Sequence, residues 1–266
     1  MTQPAIPSPA ATLVLLRDRL PTGVEALLLQ RHAGSKFAAG DYVFAGGKIE
    51  ADDMSPDGEG FCRGLTAGQA AVRLGGGLAP RDALSYWVGA IREAFEEVGV
   101  LLAYDAGGRL LRIAPEAKPR YEAYRTACQE ANPAFFDMLR AEHLTLATDR
   151  LAYFAHWITP EERPLRFDTR FFAAVMPPGQ EPVVDGHEIV NLKWLTPAEA
   201  IAASSRGDIG LRGPTIKNLE LVAAGGAPAS IVVESLGRRE VRTIRPRMVQ
   251  VDGKPLAVLP GDPRWY

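Results

Sequence analysis

Nine consecutive residues, Arg92-Glu93-Ala94-Phe95-Glu96-Glu97-Val98-Gly99-Val100, carry the densest chemistry in this chain. At about 100° per residue, Glu93, Glu96 and Glu97 fall within about one third of a helix circumference. Leu84, Trp87, Val88, Ile91, Ala94, Phe95 and Val98 take the opposite side, so the spacing predicts a helix with one buried apolar face and one acidic face. Gly99 stands where a left-handed C-cap ends a helix. Carboxylates this close repel one another, and an oxygen-seeking cation such as Mg²⁺ or Mn²⁺ relieves that repulsion. Three glutamates by themselves also describe a solvated acidic helix face.

Upstream lies Gly46-Gly47-Lys48-Ile49-Glu50-Ala51-Asp52-Asp53. Together the two stretches resemble the Nudix box, G-x5-E-x7-R-E-U-x-E-E-x-G-U with U aliphatic. Gly47 is the pattern glycine, and Asp53 stands where the family has glutamate. Between Asp53 and Arg92 the chain holds 38 residues where the pattern has seven, which puts an insertion at residues 54–79 inside the signature. A loop that bulges outward tolerates this, since closure costs only about 0.6 kcal/mol per doubling of length. Ser55-Pro56-Asp57-Gly58, Gly64 and Gly75-Gly76-Gly77 read as such a loop, with Pro80 opening the helix.

An interrupted box of this kind resembles the large-insert Nudix hydrolases related to the peroxisomal coenzyme A diphosphatases. Their coenzyme A-cleaving relatives carry an upstream pattern, L-L-T-x-R-[SA]-x3-R-x3-G-x3-F-P-G-G, which lies on this chain without a gap. Leu27, Leu28, Arg31, Gly40, Phe44, Gly46 and Gly47 match it. Leu29, His32, Lys36 and Ala45 replace its threonine, small residue, second arginine and proline. Trp157-Ile158-Thr159-Pro160, the segment from Arg166 to Phe172, Asp185-Gly186-His187-Glu188 and Trp194 to Ala200 also look like that subgroup, so the resemblance spans most of residues 11–222.

The elements that must position these residues follow from periodicity. Residues 11–17 and 24–31 read as strands joined by a turn at Pro21-Thr22-Gly23, with Tyr42-Val43-Phe44 as a third. The signature helix is predicted over 80–98. Residues 116–142 carry two helical patterns broken at Asn132-Pro133, a helical lobe. Strands return at 151–158, 170–176 and 190–195, and a helix follows at 197–204. The fold class expected is α/β, a mixed sheet between helical layers, which is the α/β/α sandwich that the resemblance implies. The Nudix domain is placed at residues 1–222. Beyond it, at 223–266, Ile231-Val232-Val233 and the alternating stretches 239–249 and 255–259 suggest a small β appendage turning at Val251-Asp252-Gly253-Lys254.

By resemblance, Glu93, Glu96 and Glu97 bind Mg²⁺ or Mn²⁺ with help from the Gly46 carbonyl. The metal would neutralise a diphosphate and activate the attacking water. Arg92 braces the site by pairing with Glu96, at i+4, and with Asp53. Glu188 is the additional acid, a metal ligand or the general base, and a plain loop acid is the other reading. His187 beside it is a phosphate contact or a structural histidine. Arg31 and Lys36 are candidate substrate contacts or ordinary surface charge. Arg166, Asp168 and Arg170 share a strand face, as an anion site or a self-satisfied ladder of charges. The basic run Arg238, Arg239, Arg242, Arg245 and Arg247 reads as a solvated hairpin, a phosphate-capturing arm or a dimer contact.

The implied reaction is cleavage of a nucleoside diphosphate linked to another group, coenzyme A or an acyl-CoA first, giving 3′,5′-ADP and a phosphopantetheine. ADP-ribose, NADH and nucleotide sugars are alternative substrates of the same chemistry. A non-catalytic nucleotide sensor is the alternative outside enzymes. The 266 residues are 47% hydrophobic and 23% charged, the composition of an ordinary globular protein. A formal charge of −2 gives no expectation of a nucleic-acid partner. No apolar run approaches the roughly 20 residues of a membrane span, so no membrane partner is expected. Cys62 and Cys128 suit a reducing compartment, and cytoplasmic location is the expectation. The four histidines lack zinc-type spacing with either cysteine. The small-molecule nucleotide is the expected partner, and a homodimer is an open possibility.

Overall fold

The structure is a computed structural model, described for residues 4–35, 38–131, 133–251 and 253–263. Its centre is β1 (Ser8–Asp18), whose apolar run from Ala10 to Leu16 is broken only by Thr12. A strand reads this way when both faces of its sheet are covered. Leu13 and Leu15 point into one apolar cluster and Val14 and Leu16 into another, as strand alternation requires. The mixed sheet runs β10 (Thr243–Ile244), β7 (Ala152–Ile158), β8 (Phe167–Val175), β1, β2 (Val24–Arg31), β3 (Tyr42–Val43). Two strands join off this path: β4 (Ala45–Lys48) on β1 and β9 (Ile189–Leu195) on β2. β1 and β8 are parallel; β1 is antiparallel to both β2 and β4. The expected third strand divides at Phe44 into β3, paired with β2, and β4, paired with β1.

One face of the sheet carries α2 (Pro80–Val98), whose bounds agree with the sequence reading. Pro80 occupies its first turn and Gly99 closes it at φ 69°. Against it lie α3 (Lys118–Glu130) and α4 (Pro133–Ala141), the anticipated helical lobe, and the short pair β5 (Ala103–Tyr104) and β6 (Thr145–Leu146). The other face carries α5 (Pro197–Arg206), α6 (Gly213–Ala224) and α7 (Ala229–Gly237), which bury Ala200, Leu219, Val222, Val232 and Leu236. No single helix among the described residues is long and apolar enough to cross a membrane.

Two expectations are corrected. The insertion at 54–79 is docked rather than bulged outward. It holds α1 (Ala67–Leu74), opened by a reciprocal Thr66–Gln69 cap, and it buries Leu65 and Ala70 in the cluster that also contains Trp87 and Ile91. Backbone bonds from Arg63 N–H to Leu146 O, 3.0 Å, and from Asp149 N–H to Arg63 O, 3.1 Å, tie it to the body. Gly75, Gly76 and Gly77 all adopt left-handed conformations to turn α1 back into α2. The second correction concerns the C-terminal region. Ile231-Val232-Val233 lies in α7, because Val232 and Leu236, at i and i+4, bury against the sheet and tertiary packing overrides β propensity. Ala229 N–H also donates to Asp18 Oδ1 at 2.6 Å. β10 extends the main sheet, and only the hairpin of β11 (Arg247–Val251) and β12 (Lys254–Val258) resembles the appendage expected. Asp252, in its turn, lies outside the described residues.

Candidate active site

The site forms where β4 crosses the C-terminal half of α2. Gly46 and Gly47 permit this crossing, and each does so against a different obstacle. A side chain on Gly46 would meet the Ala11 carbonyl oxygen at 2.4 Å and Thr12 Cα at 2.7 Å, both backbone. One on Gly47 would fall 2.5 Å from the Glu93 carboxylate. Gly46→Ala is therefore expected to cost about 1–3 kcal/mol of stability, as overpacking against rigid atoms does. Gly47→Ala is expected to melt close to wild type while displacing Glu93 and weakening Mn²⁺ binding. Thermal melts and Mn²⁺ titrations of the two variants check this, and equal behaviour in both would contradict it.

Strand β4 and the 3₁₀ turn Ala51–Met54 cover the side of α2 that was expected to be open and acidic. Arg92 and Glu97 are consequently buried, at 2% and 4% exposure. Arg92 stands at the centre: its Nε donates to Asp53 Oδ1 at 2.8 Å and its Nη2 to Asp53 Oδ2 at 2.9 Å. Nη1 donates to Glu93 Oε1 at 3.0 Å and to Glu96 Oε2 at 2.8 Å, while Nη2 also reaches the Lys48 carbonyl at 2.9 Å. Asp53, 3% exposed, thus makes a forked pairing although its side chain is one methylene shorter than glutamate. Gly89 contributes to this: a side chain there would lie 3.1 Å from Asp53 Oδ2 and 2.7 Å from Ile49 Cδ1, so its absence lets the turn close onto the helix. Asp53 Oδ2 also accepts the Glu50 N–H at 2.9 Å, which closes the 3₁₀ turn.

On the other side of α2, Glu97 Oε2 accepts the Gly46 N–H at 3.0 Å. Arg31 lies between two acids, with Nη2 2.6 Å from Glu188 Oε1 and Nη1 3.9 Å from Glu97 Oε1. Glu188 is held by its loop, in which Asp185 Oδ1 accepts the backbone N–H groups of His187, Glu188 and Ile189. The structure therefore brings Arg31, Gly46, Gly47, Asp53, Arg92, Glu93, Glu96, Glu97 and Glu188 together around one helix end. His187 is exposed on the same loop. Lys36 lies outside the described residues.

Electrostatically the site is under strain that a cation would relieve. Burial pushes the Glu96 carboxyl up to about 7, against the opposing pull of Arg92. Burial also raises Glu93, and it raises Glu97 well above the usual carboxylate range, with Glu93 and Glu188 adding repulsion at Glu97. Burial works against the Arg92 charge, but the hydrogen bond to Asp53 and the surrounding acids outweigh it and raise its pKa. Among the described residues no group of three or more His, Cys, Asp or Glu side chains is arranged to hold a metal ion. Arg92 already engages Glu93 and Glu96. Glu96 Oε1, however, is buried without any hydrogen-bond partner, and the candidate ligating groups Glu93, Glu96 and Glu97 all offer oxygen. An orphaned carboxylate oxygen beside two raised carboxyls fits a hard divalent cation.

Two sequence expectations outside this cluster are answered by the partners these residues find. Arg170 pairs with Asp168 and donates to Tyr86 Oη at 2.9 Å, and Asp168 also meets His156. Arg166 donates to the Thr159 and Ala5 carbonyls, so the charges of this strand face are paired within the fold, with Arg170 Nε alone among their buried nitrogens lacking a partner. In the C-terminal basic run, Arg238, Arg242 and Arg245 pair with Glu234, Glu240 and Glu161. Sequence reasoning missed Gly89, although a glycine inside an amphipathic helix is a readable sign of close approach. It also missed Arg125 and Gln129, which have no local signal.

The family model for the NUDT19 Nudix domain matches residues 8–222. Over 210 residues the chain is 29% identical to the acyl-coenzyme A diphosphatase NUDT19 of Xenopus laevis, covering 66% of this chain and 54% of that protein. The Homo sapiens protein of the same name is 29% identical over 252 residues, 81% of this chain and 65% of that one. The Gallus gallus protein is 30% identical over 236 residues, 75% and 61% respectively. The chain therefore spans between 54% and 65% of the length of these relatives. Among solved structures, a Nudix hydrolase from Alicyclobacillus acidocaldarius superposes with a TM-score of 0.66 at 25% identity, covering 83% of this chain and 92% of that one. With the glycines, the arginine brace and the crowded glutamates in the places that the box requires, this chain belongs to the Nudix family and carries its NUDT19-type domain.

Proposed function

We propose that this protein is a Mg²⁺- or Mn²⁺-dependent diphosphatase that cleaves coenzyme A or an acyl-CoA into 3′,5′-ADP and the corresponding phosphopantetheine. The observation that carries the reading is the buried acid cluster on α2, with Glu96 Oε1 lacking a partner. A binding module gains nothing from keeping mutually repulsive buried carboxylates. Glu93, Glu96 and Glu97 would hold the cation, which when bound supplies charge neutralisation at the diphosphate and acidifies water. The names of the curated relatives and the gap-free coenzyme A pattern from Leu27 to Gly47 support the substrate.

The remaining roles belong to the chain itself. Arg92 fixes the carboxylates through its bonds to Glu93, Glu96 and Asp53 and leaves no donor for substrate. Glu188, aimed by Arg31 and by its Asp185-capped loop, is the residue we assign to accept the proton of the attacking water, at Oε2. Arg31 lies close enough to the acids to exchange its Glu188 contact for a substrate phosphate. Both cysteines are free, in keeping with the cytoplasmic location we propose.

Leu29 and Ala45, in place of the pattern's threonine and proline, favour a second reading in which another diphosphate, such as ADP-ribose, NADH or a nucleotide sugar, is preferred. The test is kcat/KM over a panel of coenzyme A, an acyl-CoA, ADP-ribose, NADH and a nucleotide sugar, with products identified by mass. Preference for the coenzyme A members is expected. Preference for another member would retain the mechanism and discard the substrate.

A further inference from the structure

The last turn of α2 presents five carbonyl groups, of which those of Glu96, Glu97 and Val98 have no N–H partner within the helix itself. Ala94 O accepts Val100 N–H at 3.3 Å, Phe95 O accepts Gly99 N–H at 2.8 Å, and Val98 O accepts Val183 N–H at 3.0 Å. The two between them belong to Glu96 and Glu97, whose side chains form the candidate metal site. Both are met by side chains of α3, outside the Nudix box. Arg125 Nε donates to Glu96 O at 2.9 Å, Arg125 Nη2 to Glu97 O at 2.7 Å, and Gln129 Nε2 to Glu96 O at 2.6 Å.

This contact is built for direction as well as for satisfaction. A planar guanidinium bonded to two consecutive carbonyls fixes the rotation of the turn as well as its position, which a single ammonium bond does not. Arg125 is only 5% exposed, so water does not readily replace it. Its charge also sits at the negative end of the helix. A small rotation of this turn would swing Glu96 and Glu97 relative to Glu93, which lies a turn earlier and is held by Arg92.

We propose that Arg125, assisted by Gln129, is the positioning residue that sets the metal-binding turn of α2, so that the helical insertion aligns the acids of the Nudix box. The proposal rests on the metal-dependent reading above. Its test uses the full chain, with Mn²⁺ as the probe followed by electron paramagnetic resonance, alongside kcat and KM for coenzyme A. Arg125→Met is expected to bind Mn²⁺ about 10–100-fold more weakly, the range seen when a partner of a ligating group is lost. Its kcat is expected to fall with little change in KM, and Arg125→Lys is expected to recover part of both losses.

A merely structural role would lower the melting temperature but leave Mn²⁺ affinity and kcat of the folded protein intact, and that result would overturn the proposal. Should Arg125→Met fail to fold, Arg125→Lys and the more exposed Gln129→Ala carry the test: wild-type affinity in both overturns it, and weakened affinity in both supports it. Failure of wild type itself to bind Mn²⁺ would instead defeat the metal reading, a result distinct from variants that bind as well as wild type does.

Discussion

Arg92→Ala is expected to destabilise the protein by about 3–5 kcal/mol, the cost of breaking a buried ion pair by removing one partner. The magnitude follows from where Arg92 stands. Its guanidinium is 2% exposed and answers Asp53, Glu93 and Glu96 together, so its loss leaves three acids crowded in a region that water hardly reaches. At about 2–4 °C per kcal/mol for a chain of this size, the melting temperature should fall by roughly 6–20 °C. Because the arginine touches the acids rather than the substrate, activity should fall as well. A thermal melt within a degree or two of wild type would show that Arg92 does not bind this cluster together.

Glu97→Gln is expected to have the opposite profile, with turnover reduced by at least about 100-fold and the fold intact. Loss of a partner of a ligating group already costs 10–100-fold, and Glu97 is assigned as a ligand itself. Stability should be spared for a reason that carries a sign. Burial raises the Glu97 pKa in the folded state, so its stabilising contribution is fully present below the unfolded carboxylate value and is lost as pH rises through the folded one. Glutamine imitates the protonated form at every pH and keeps an acceptor for the Gly46 N–H. In the absence of metal at alkaline pH, the variant should therefore melt at or above the wild-type temperature. A variant with wild-type kcat and undiminished Mn²⁺ dependence would remove Glu97 from the metal site.

Much of this site was legible before any coordinates, because its chemistry is local. Arg92, Glu93, Glu96, Glu97 and Gly99 lie on one helix, and helical periodicity converts their spacing directly into geometry. Asp53 was legible as a brace only through the resemblance to the Nudix box, since 38 residues separate it from Arg92 and no periodicity relates the two. The errors occur where tertiary packing outvotes local preference. Ile231-Val232-Val233 favours a strand on propensity alone, yet Val232 and Leu236 find a sheet to bury against only as a helix. The glycines of the insertion signalled a loop, but not that Leu65 and Ala70 would join the core beneath it.

The contacts that were not legible are those with large sequence separation. Arg31 to Glu188 spans 157 positions, and no periodicity relates a strand end to a loop acid so distant. Arg125 to Glu96 spans 29 positions between helices whose packing angle sequence does not specify. Both are arginines whose partners are decided by what the fold brings near, and both alter the chemistry of the same helix end.

Incubating the purified protein with coenzyme A and Mn²⁺ or Mg²⁺, beside an EDTA-treated sample, and measuring 3′,5′-ADP by mass tests whether the acids of α2 form a metal-dependent diphosphatase site. The site described here predicts 3′,5′-ADP and phosphopantetheine in equal amounts, dependent on the metal and abolished by the chelator. Intact coenzyme A with both metals, or hydrolysis that EDTA leaves unchanged, would contradict it.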